Sequence, residues 1–423
     1  MRLAGAYLRD FEPFADQAIE FAEKSAPGLA EVHFFVGQNG TGKTRLLSLL
    51  AAACGNAEEL KFRTSQFKSS VVASSGKEDK RFQFVDLDHS GINPNVGSLS
   101  QILRMIATHP VPKFETATPR VTDPSLVAMA FRSVPSLSDQ KVTPMGEVKW
   151  GEQDKFLTFN HHANESAQIC QGLANLKVRM GIVSSDPKDR TVRMVHAFDQ
   201  AIQSITDREL VLTVGYVNKE FRLKASWAGR EMQLKQLPDG LRSIIGWLAS
   251  CVVKLDMLHP DVESPLDQSL ILLLDEPDAH LHPAWQRKLI PAVQSLLPNA
   301  QIFVATHSPF VISSVNHGWI YVFKANADGN VTIEPPKPCS EGDSYIDVVE
   351  DVLGLREQFD PETEKLLSEF RKKRDGAKQQ RTELTLNAAK ELATSIAKRG
   401  KTLRFMMGRE MAQLETQLAK AAG

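Results

Sequence analysis

Gly37-Gln38-Asn39-Gly40-Thr41-Gly42-Lys43-Thr44 follows directly on the apolar run Val32-His33-Phe34-Phe35-Val36 and leads into Arg45-Leu46-Leu47-Ser48-Leu49-Leu50-Ala51. The spacing is G-x-x-x-x-G-K-[ST], and a strand before it with a helix after it is the context this P-loop pattern requires. Its glycines, Gly37, Gly40 and Gly42, let the loop wrap closely round a phosphate chain, so that backbone N–H groups and the start of the following helix point at negative charge. Lys43 then supplies a positive charge for the β- and γ-phosphates, and Thr44 a hydroxyl for Mg²⁺. Asn39, Thr41 and Arg45 belong to the same nucleotide-binding stretch. The expected fold class is α/β.

A second apolar run, Leu270-Ile271-Leu272-Leu273-Leu274, ends in Asp275-Glu276-Pro277. A strand buried on both faces of a parallel sheet reads this way, and it delivers its last residues to the carboxyl edge where ligands bind. Asp275 is the candidate ligand of Mg²⁺. Glu276 is the candidate general base toward water, on the expectation that successive strand residues cannot both face the metal. Further on, Gln301-Ile302-Phe303-Val304-Ala305 reads as another buried strand ending in Thr306-His307-Ser308. His280 and His282 lie between the two strands, with no cysteine or acidic cluster at metal-ligand spacing to complete a zinc site, and read as a loop facing a second subunit. Before the acidic strand, Leu237-Pro238-Asp239-Gly240-Leu241-Arg242-Ser243 opens the apolar helical run Ile244 to Val253.

Motifs of these kinds in this order resemble the ATP-binding-cassette ATPases, and within them the SMC-like and OLD-like branch that includes ATP-binding subunits of bacterial anti-phage defence systems such as Septu and PARIS. The resemblance rests on residues 31–52 and 237–310, with a lesser likeness at Leu3 to Phe21, where Phe11-Glu12-Pro13-Phe14 is similar to the turn of that branch's first hairpin. It implies a P-loop NTPase of ABC/SMC-head type, with two lobes and a head-to-tail dimer enclosing two ATP molecules. His307 would be the switch histidine at the γ-phosphate. The stretch from Leu237 occupies the place of the family's Leu-Ser-Gly-Gly-Gln signature but departs from it, with Pro238 for the serine and Asp239 for the first glycine. Asp239, Gly240, Arg242 and the helix start remain as contacts to a phosphate bound on the partner subunit. Gln101 is a candidate for the glutamine that links the second lobe to the metal. OLD-family proteins also carry a metal-dependent nuclease, but Glu341 and Asp343 follow Pro335-Pro336-Lys337-Pro338 rather than a buried strand, so no nuclease is expected here.

The chain is long enough to bury a sizeable core, with 423 residues of which 42% are hydrophobic. A formal net charge of −1 gives no global attraction to nucleic acid or membrane. Cys54, Cys170, Cys251 and Cys339 show no paired spacing, no apolar stretch reaches the length of a membrane span, and the first residues lack a signal-peptide pattern. A cytoplasmic enzyme is expected. The P-loop half of the ATPase domain is placed at 1–55 and an elaborated insertion lobe at 56–235. The second half, with signature, acidic strand and His307, is placed at 236–335, and a helical appendage at 340–423. Within the lobe, Arg81 to Leu87 and Leu210 to Tyr216 read as strands and Thr191 to Ile205 as a helix.

From Pro361 onward 14 Lys and Arg stand against 8 Asp and Glu, a locally basic balance. Leu392, Ile396, Leu403, Met407, Met411, Leu414 and Leu418 recur at steps expected to form one helical face. This region is read as a surface for a partner protein, for self-association, or for nucleic acid through Arg371-Lys372-Lys373-Arg374. The functional expectation is a Mg²⁺-dependent ATPase whose ATP-driven dimerisation switches an effector such as a nuclease, without membrane contact. The alternatives are a DNA-repair or chromosome-maintenance ATPase of RecF or SMC type, and a weakly hydrolytic ATP-dependent scaffold, which the proline at 238 favours.

Overall fold

The structure is a computed structural model and describes residues 2–9, 11–23, 28–54, 70–75, 81–84, 127–132, 140–148, 163–183, 186–217, 219–339, 342, 344–355, 357–380 and 382–420. Along the chain, strands β1 (Arg2–Leu8), β2 (Gln17–Glu20) and β3 (Glu31–Gly37) lead into helix α1 (Lys43–Ala53), followed by β4 (Ser70–Ser75), β5 (Arg81–Phe84), β6 (Ala128–Arg132) and β7 (Lys141–Val142). Helices α2 (Ala163–Val183) and α3 (Arg190–Thr206) precede the antiparallel strands β8 (Leu210–Val217), β9 (Glu220–Trp227) and β10 (Arg230–Gln233). Then come α4 (Asp239–Leu258), β11 (Leu270–Asp275), α5 (Pro283–Leu296), β12 (Ala300–Ala305), β13 (Trp319–Ala325), β14 (Val331–Ile333) and β15 (Lys337–Pro338). These elements lie in one compact unit, Met1–Leu353, and Gly354–Gly423 form a second.

The central sheet has the order β14-β13-β3-β12-β11-β6, with β13, β3, β12, β11 and β6 parallel and the short β14 and β15 antiparallel to β13. Both faces are covered, and the residues of each strand alternate between two cores as the period of two demands. Val32, Phe34, Val36, Leu272, Leu274, Ile302 and Val304 face α2 to α5, whereas Phe35, Ile271, Leu273, Phe303 and Ala305 face α1 and the antiparallel sheet β2-β1-β4-β5. Registry sets Asp275 beside Ala305 and Ala305 beside Phe35. The ends of β3, β11 and β12 therefore reach one edge together, and the P-loop, the acidic pair and Thr306-His307 emerge side by side.

Near the opposite end, a polar network ties the N-terminal strand to the sheet. Arg2 pairs with Glu31, whose Oε1 accepts from His33 Nε2 at 2.6 Å and from Gln301 Nε2 at 2.9 Å. Gln301 also bonds both backbone groups of Leu3, at 2.8 and 2.9 Å, and the Tyr321 hydroxyl lies 3.2 Å from His33 Nδ1. Burial works against the Glu31 charge, but the His33 hydrogen bond and the Arg2 guanidinium outweigh it and hold the carboxyl at about 2. Burial likewise holds the imidazole of His33 below its ordinary value, with Glu31 pulling the other way. Both groups release protons more readily folded than unfolded, so each contributes stability that is lost as pH falls: His33 from its ordinary 6.5 downward, Glu31 from 4.5 toward 2. Unfolding free energies from denaturant titrations at pH 7.5 to 4 should therefore fall with a limiting slope of about 1.4 kcal/mol per pH unit for each group that takes up a proton on unfolding. In His33→Gln the share of this decline that His33 contributes should be lost, leaving the shares of His259 and His307, whose pKa values burial also lowers. An unchanged wild-type profile in that variant would remove His33 from this role.

The second unit is built from α6 (Pro361–Gln380), α7 (Glu383–Ala397) and α8 (Lys401–Lys420) around Leu367, Phe370, Ala377, Ala389, Ala393, Ile396, Leu403, Met407 and Leu414. The single helical face expected from Leu392 onward is divided between two helices by a turn at 398–400, where Arg399 N donates to Ile396 O at 3.0 Å. A step of seven from Ile396 to Leu403 fits either arrangement, because helices folded on each other both turn their apolar sides to the shared core. In the basic run, Arg374 is engaged within the unit, by Glu410 at 2.7 Å and Asp375 at 2.9 Å. Residues 344–353, expected with this appendage, lie in the first unit.

Among the described residues no helix is long and apolar enough to cross a membrane. The strands at Arg81 and Leu210 and the helix at Thr191 form close to where the sequence puts them; residues 85–87 and Gln101 lie outside the described residues, as do Glu341 and Asp343.

Candidate functional site

The loop between β3 and α1 turns through Gly40 and Gly42, both at positive φ. At Gly42, with φ of 86°, a Cβ would lie 2.7 Å from the ring of Phe14, so both the conformation and the space call for glycine. No side chain caps the start of α1 and no acid occupies its first turn, which leaves that helix end to an anion. The Lys43 ammonium is parked in the loop, donating to the carbonyls of Gly37 at 2.9 Å and Gln38 at 3.0 Å. Burial lowers its pKa, opposed by Glu276 and Asp275. Thr41 Oγ1 donates to Gln38 O at 2.8 Å, Asn39 is exposed, and Arg45 is bonded to the carbonyl of Glu12.

Thr44 Oγ1 donates to Asp275 Oδ1 at 2.9 Å, joining the first residues of α1 to the last of β11. A hydroxyl and a carboxylate at this spacing are the hard oxygen donors that suit Mg²⁺. Asp275 is buried, whereas Glu276 stands outside the strand with φ of 49° and its side chain 56% exposed. Glu276 lies in a left-handed turn beyond the end of β11 rather than in the strand as expected, although its N–H still pairs with Ala305 O at 2.8 Å before the chain bends. Its Oε1 lies 4.0 Å from His307 Nε2. Burial holds the His307 pKa below its ordinary value, Lys43 adds to the effect, and the two acids oppose it. A neutral imidazole at physiological pH is a hydrogen-bond donor that does not neutralise the neighbouring base.

Pro238 caps α4 without a side-chain bond, and Asp239 lies in the first turn. Arg242 is bonded to Asp239 in the same chain, and its Nε is buried without a partner. Any phosphate arriving at Arg242 therefore competes with a carboxylate already in place. Gly240 is pressed against the loop after β11, where a Cβ would lie 2.7 Å from the carbonyl oxygen of His280. His280 is exposed at positive φ, and His282 Nδ1 accepts from Ala284 N at 3.2 Å as the cap of α5.

The sequence reading passed over Asp278, Gln286 and Ser308, which with Thr306 join the two loops bearing Glu276 and His307. Only Asp278 carried a signal, a short polar residue two positions beyond the candidate base. The others read as ordinary helix and loop residues, since nothing in their spacing reports a contact across strands.

A parallel sheet that brings a P-loop, an acidic strand end and a histidine-bearing neighbouring strand to one edge is the arrangement of an α/β P-loop nucleotide-binding fold. Residues 197–313 match the family described as "AAA domain, putative AbiEii toxin, Type IV TA system", a span that runs from α3 past His307. Over 93 residues, 22% of the chain and 17% of the relative, it is 37% identical to "Retron Ec83 probable ATPase" of Escherichia coli. Over 112 residues, 26% of the chain and 28% of the relative, it is 32% identical to "Septu protein PtuA" of Bacillus thuringiensis. The matched stretches thus span less than a third of either relative. Among solved structures, an SMC head bound to the C-winged helix domain of ScpA is similar with a TM-score of 0.43 and 11% identity, covering 80% of this chain and 98% of the other.

Proposed function

We propose that the chain is a Mg²⁺-dependent ATPase whose ATP-driven self-association switches a partner effector in bacterial anti-phage defence. The observation that carries this reading is the 2.9 Å bond from Thr44 to Asp275, which assembles a metal-binding oxygen pair at the mouth of a phosphate loop. On this reading Lys43 exchanges the carbonyls of Gly37 and Gln38 for the β- and γ-phosphates, and the open end of α1 takes the remaining charge. Thr44 and Asp275 would hold Mg²⁺, which would supply positive charge against the phosphates. Glu276 takes a proton from the attacking water, and neutral His307 beside it donates to the γ-phosphate. Asp239, Gly240 and Arg242 close the site of a second chain, with Arg242 leaving its cis carboxylate for the phosphate of the partner.

The effector, a nuclease on the family resemblance, is carried by a separate chain on this reading, and the relatives named as retron and Septu proteins support the defence setting. Self-association gives the test. Particle mass should double with Mg²⁺ and ATP in the full-length chain and stay single without nucleotide. Arg242→Glu should prevent doubling, because it sets a carboxylate against phosphate in a partly desolvated gap, while each monomer still binds ATP. Doubling that persists in Arg242→Glu would reduce the start of α4 to a helix cap.

A further inference from the structure

We infer that Asp278 and Thr306 are positioning residues: a hydrogen bond between them clamps the loop bearing Glu276 to the loop bearing His307 and so fixes the separation of those two groups. Thr306 Oγ1 donates to Asp278 Oδ1 at 2.7 Å and accepts from Ser308 N at 2.9 Å. Ser308 Oγ donates to Gln286 Oε1 at 2.7 Å, and Gln286 Nε2 returns to the carbonyls of Asp278 at 3.2 Å and Leu281 at 3.1 Å. The bonds close a ring from Asp278 through Thr306, Ser308 and Gln286 back to Asp278. Thr306 and Ser308 are buried on either side of His307, whose own side chain stays partly exposed. Glu276 is held by its N–H on Ala305 O, two residues before Asp278.

Beyond the bonds from Glu276 N to Ala305 O and from Thr306 N to Phe35 O both strands leave the sheet, and the side chains of Glu276 and His307 have no further strand pairing to set their direction. The ring supplies what the sheet no longer does. Neighbouring groups that must meet a phosphate and its attacking water lose rate steeply with displacement, on the order of 10²-fold for an ångström. The clamp is reached only through tertiary folding, since Asp278 and Thr306 lie on different loops.

The inference rests on the proposed ATPase reading and is tested by separating turnover from binding in the full chain. Thr306→Val, which keeps shape and removes the hydroxyl, should lower kcat for ATP roughly 10²-fold, with KM and the Kd for ATP within about twofold of the parent, a small fraction of a tenfold affinity step. Thr306→Ser restores the hydroxyl and should return most of kcat. Asp278→Ala, reaching the bond from its other end, should match Thr306→Val, and the double variant should be no slower than either, because both remove one bond. If Thr306→Val folds poorly, Asp278→Ala carries the comparison. Equal losses in Thr306→Val and Thr306→Ser, or additive losses in the double variant, overturn the clamp. A parent chain that binds ATP without turnover overturns the ATPase reading instead.

Discussion

Glu276→Gln is expected to slow ATP turnover roughly 10²–10⁴-fold and to leave ATP affinity nearly intact, the signature of a removed general base. The geometry gives the reason for the separation. Glu276 is outside the strand and largely solvent-facing, so the amide replaces a carboxylate without creating a buried unpaired group, and Thr44, Asp275 and Lys43 keep their contacts. The amide cannot take the proton from water, and the ATP-bound form should accumulate as the associated species. Single-turnover kinetics with bound-nucleotide analysis measures this. Turnover at the parental rate in Glu276→Gln would assign the base elsewhere and leave the turn at Glu276 without a chemical role.

Lys43→Ala should have the second large effect, on binding. A ligand that occupies only the folded state at a hundredfold excess over its Kd stabilises by about 2.7 kcal/mol, and that increment should vanish in the variant. Because Lys43 also bonds the carbonyls of Gly37 and Gln38, the nucleotide-free protein is expected to change stability too. The informative quantity is therefore the difference in thermal midpoint with and without Mg-ATP, taken within each protein. A full ATP-dependent shift in Lys43→Ala would mean that the loop cradles something other than the phosphates.

Much of the central sheet was legible because its strands are buried on both faces, and such strands announce themselves as apolar runs, unbroken at 270–274 and carrying one polar residue each at 32–36 (His33) and 301–305 (Gln301). Strand β6, beside β11, was not, since Ala-Met-Ala-Phe-Arg is as compatible with a helix as with a strand and acquires its form from its neighbour. The turn at Glu276 was equally hidden. A glutamate at positive φ goes against local preference and is held by the loop around it, so no propensity reports it. The spacing of Asp239 and Arg242, three apart on α4, allows their pairing, but that the guanidinium takes this partner depends on rotamers chosen in the fold. In the second unit, the helical period was visible and the turn at 398–400 was not, since the same apolar spacing serves one helix or two.

The close seat of Gly240 on the carbonyl of His280 leaves no slack between the start of α4 and the loop four residues beyond Glu276. In a two-chain assembly of the proposed kind, each chain would present that start to the nucleotide of its neighbour while the loop guards its own. A stiff joint of this sort makes the occupancy of one site a mechanical input to the other. By linkage the influence runs equally in both directions for binding. The pair would then read ATP as a threshold quantity, answering to concentration more steeply than two independent sites.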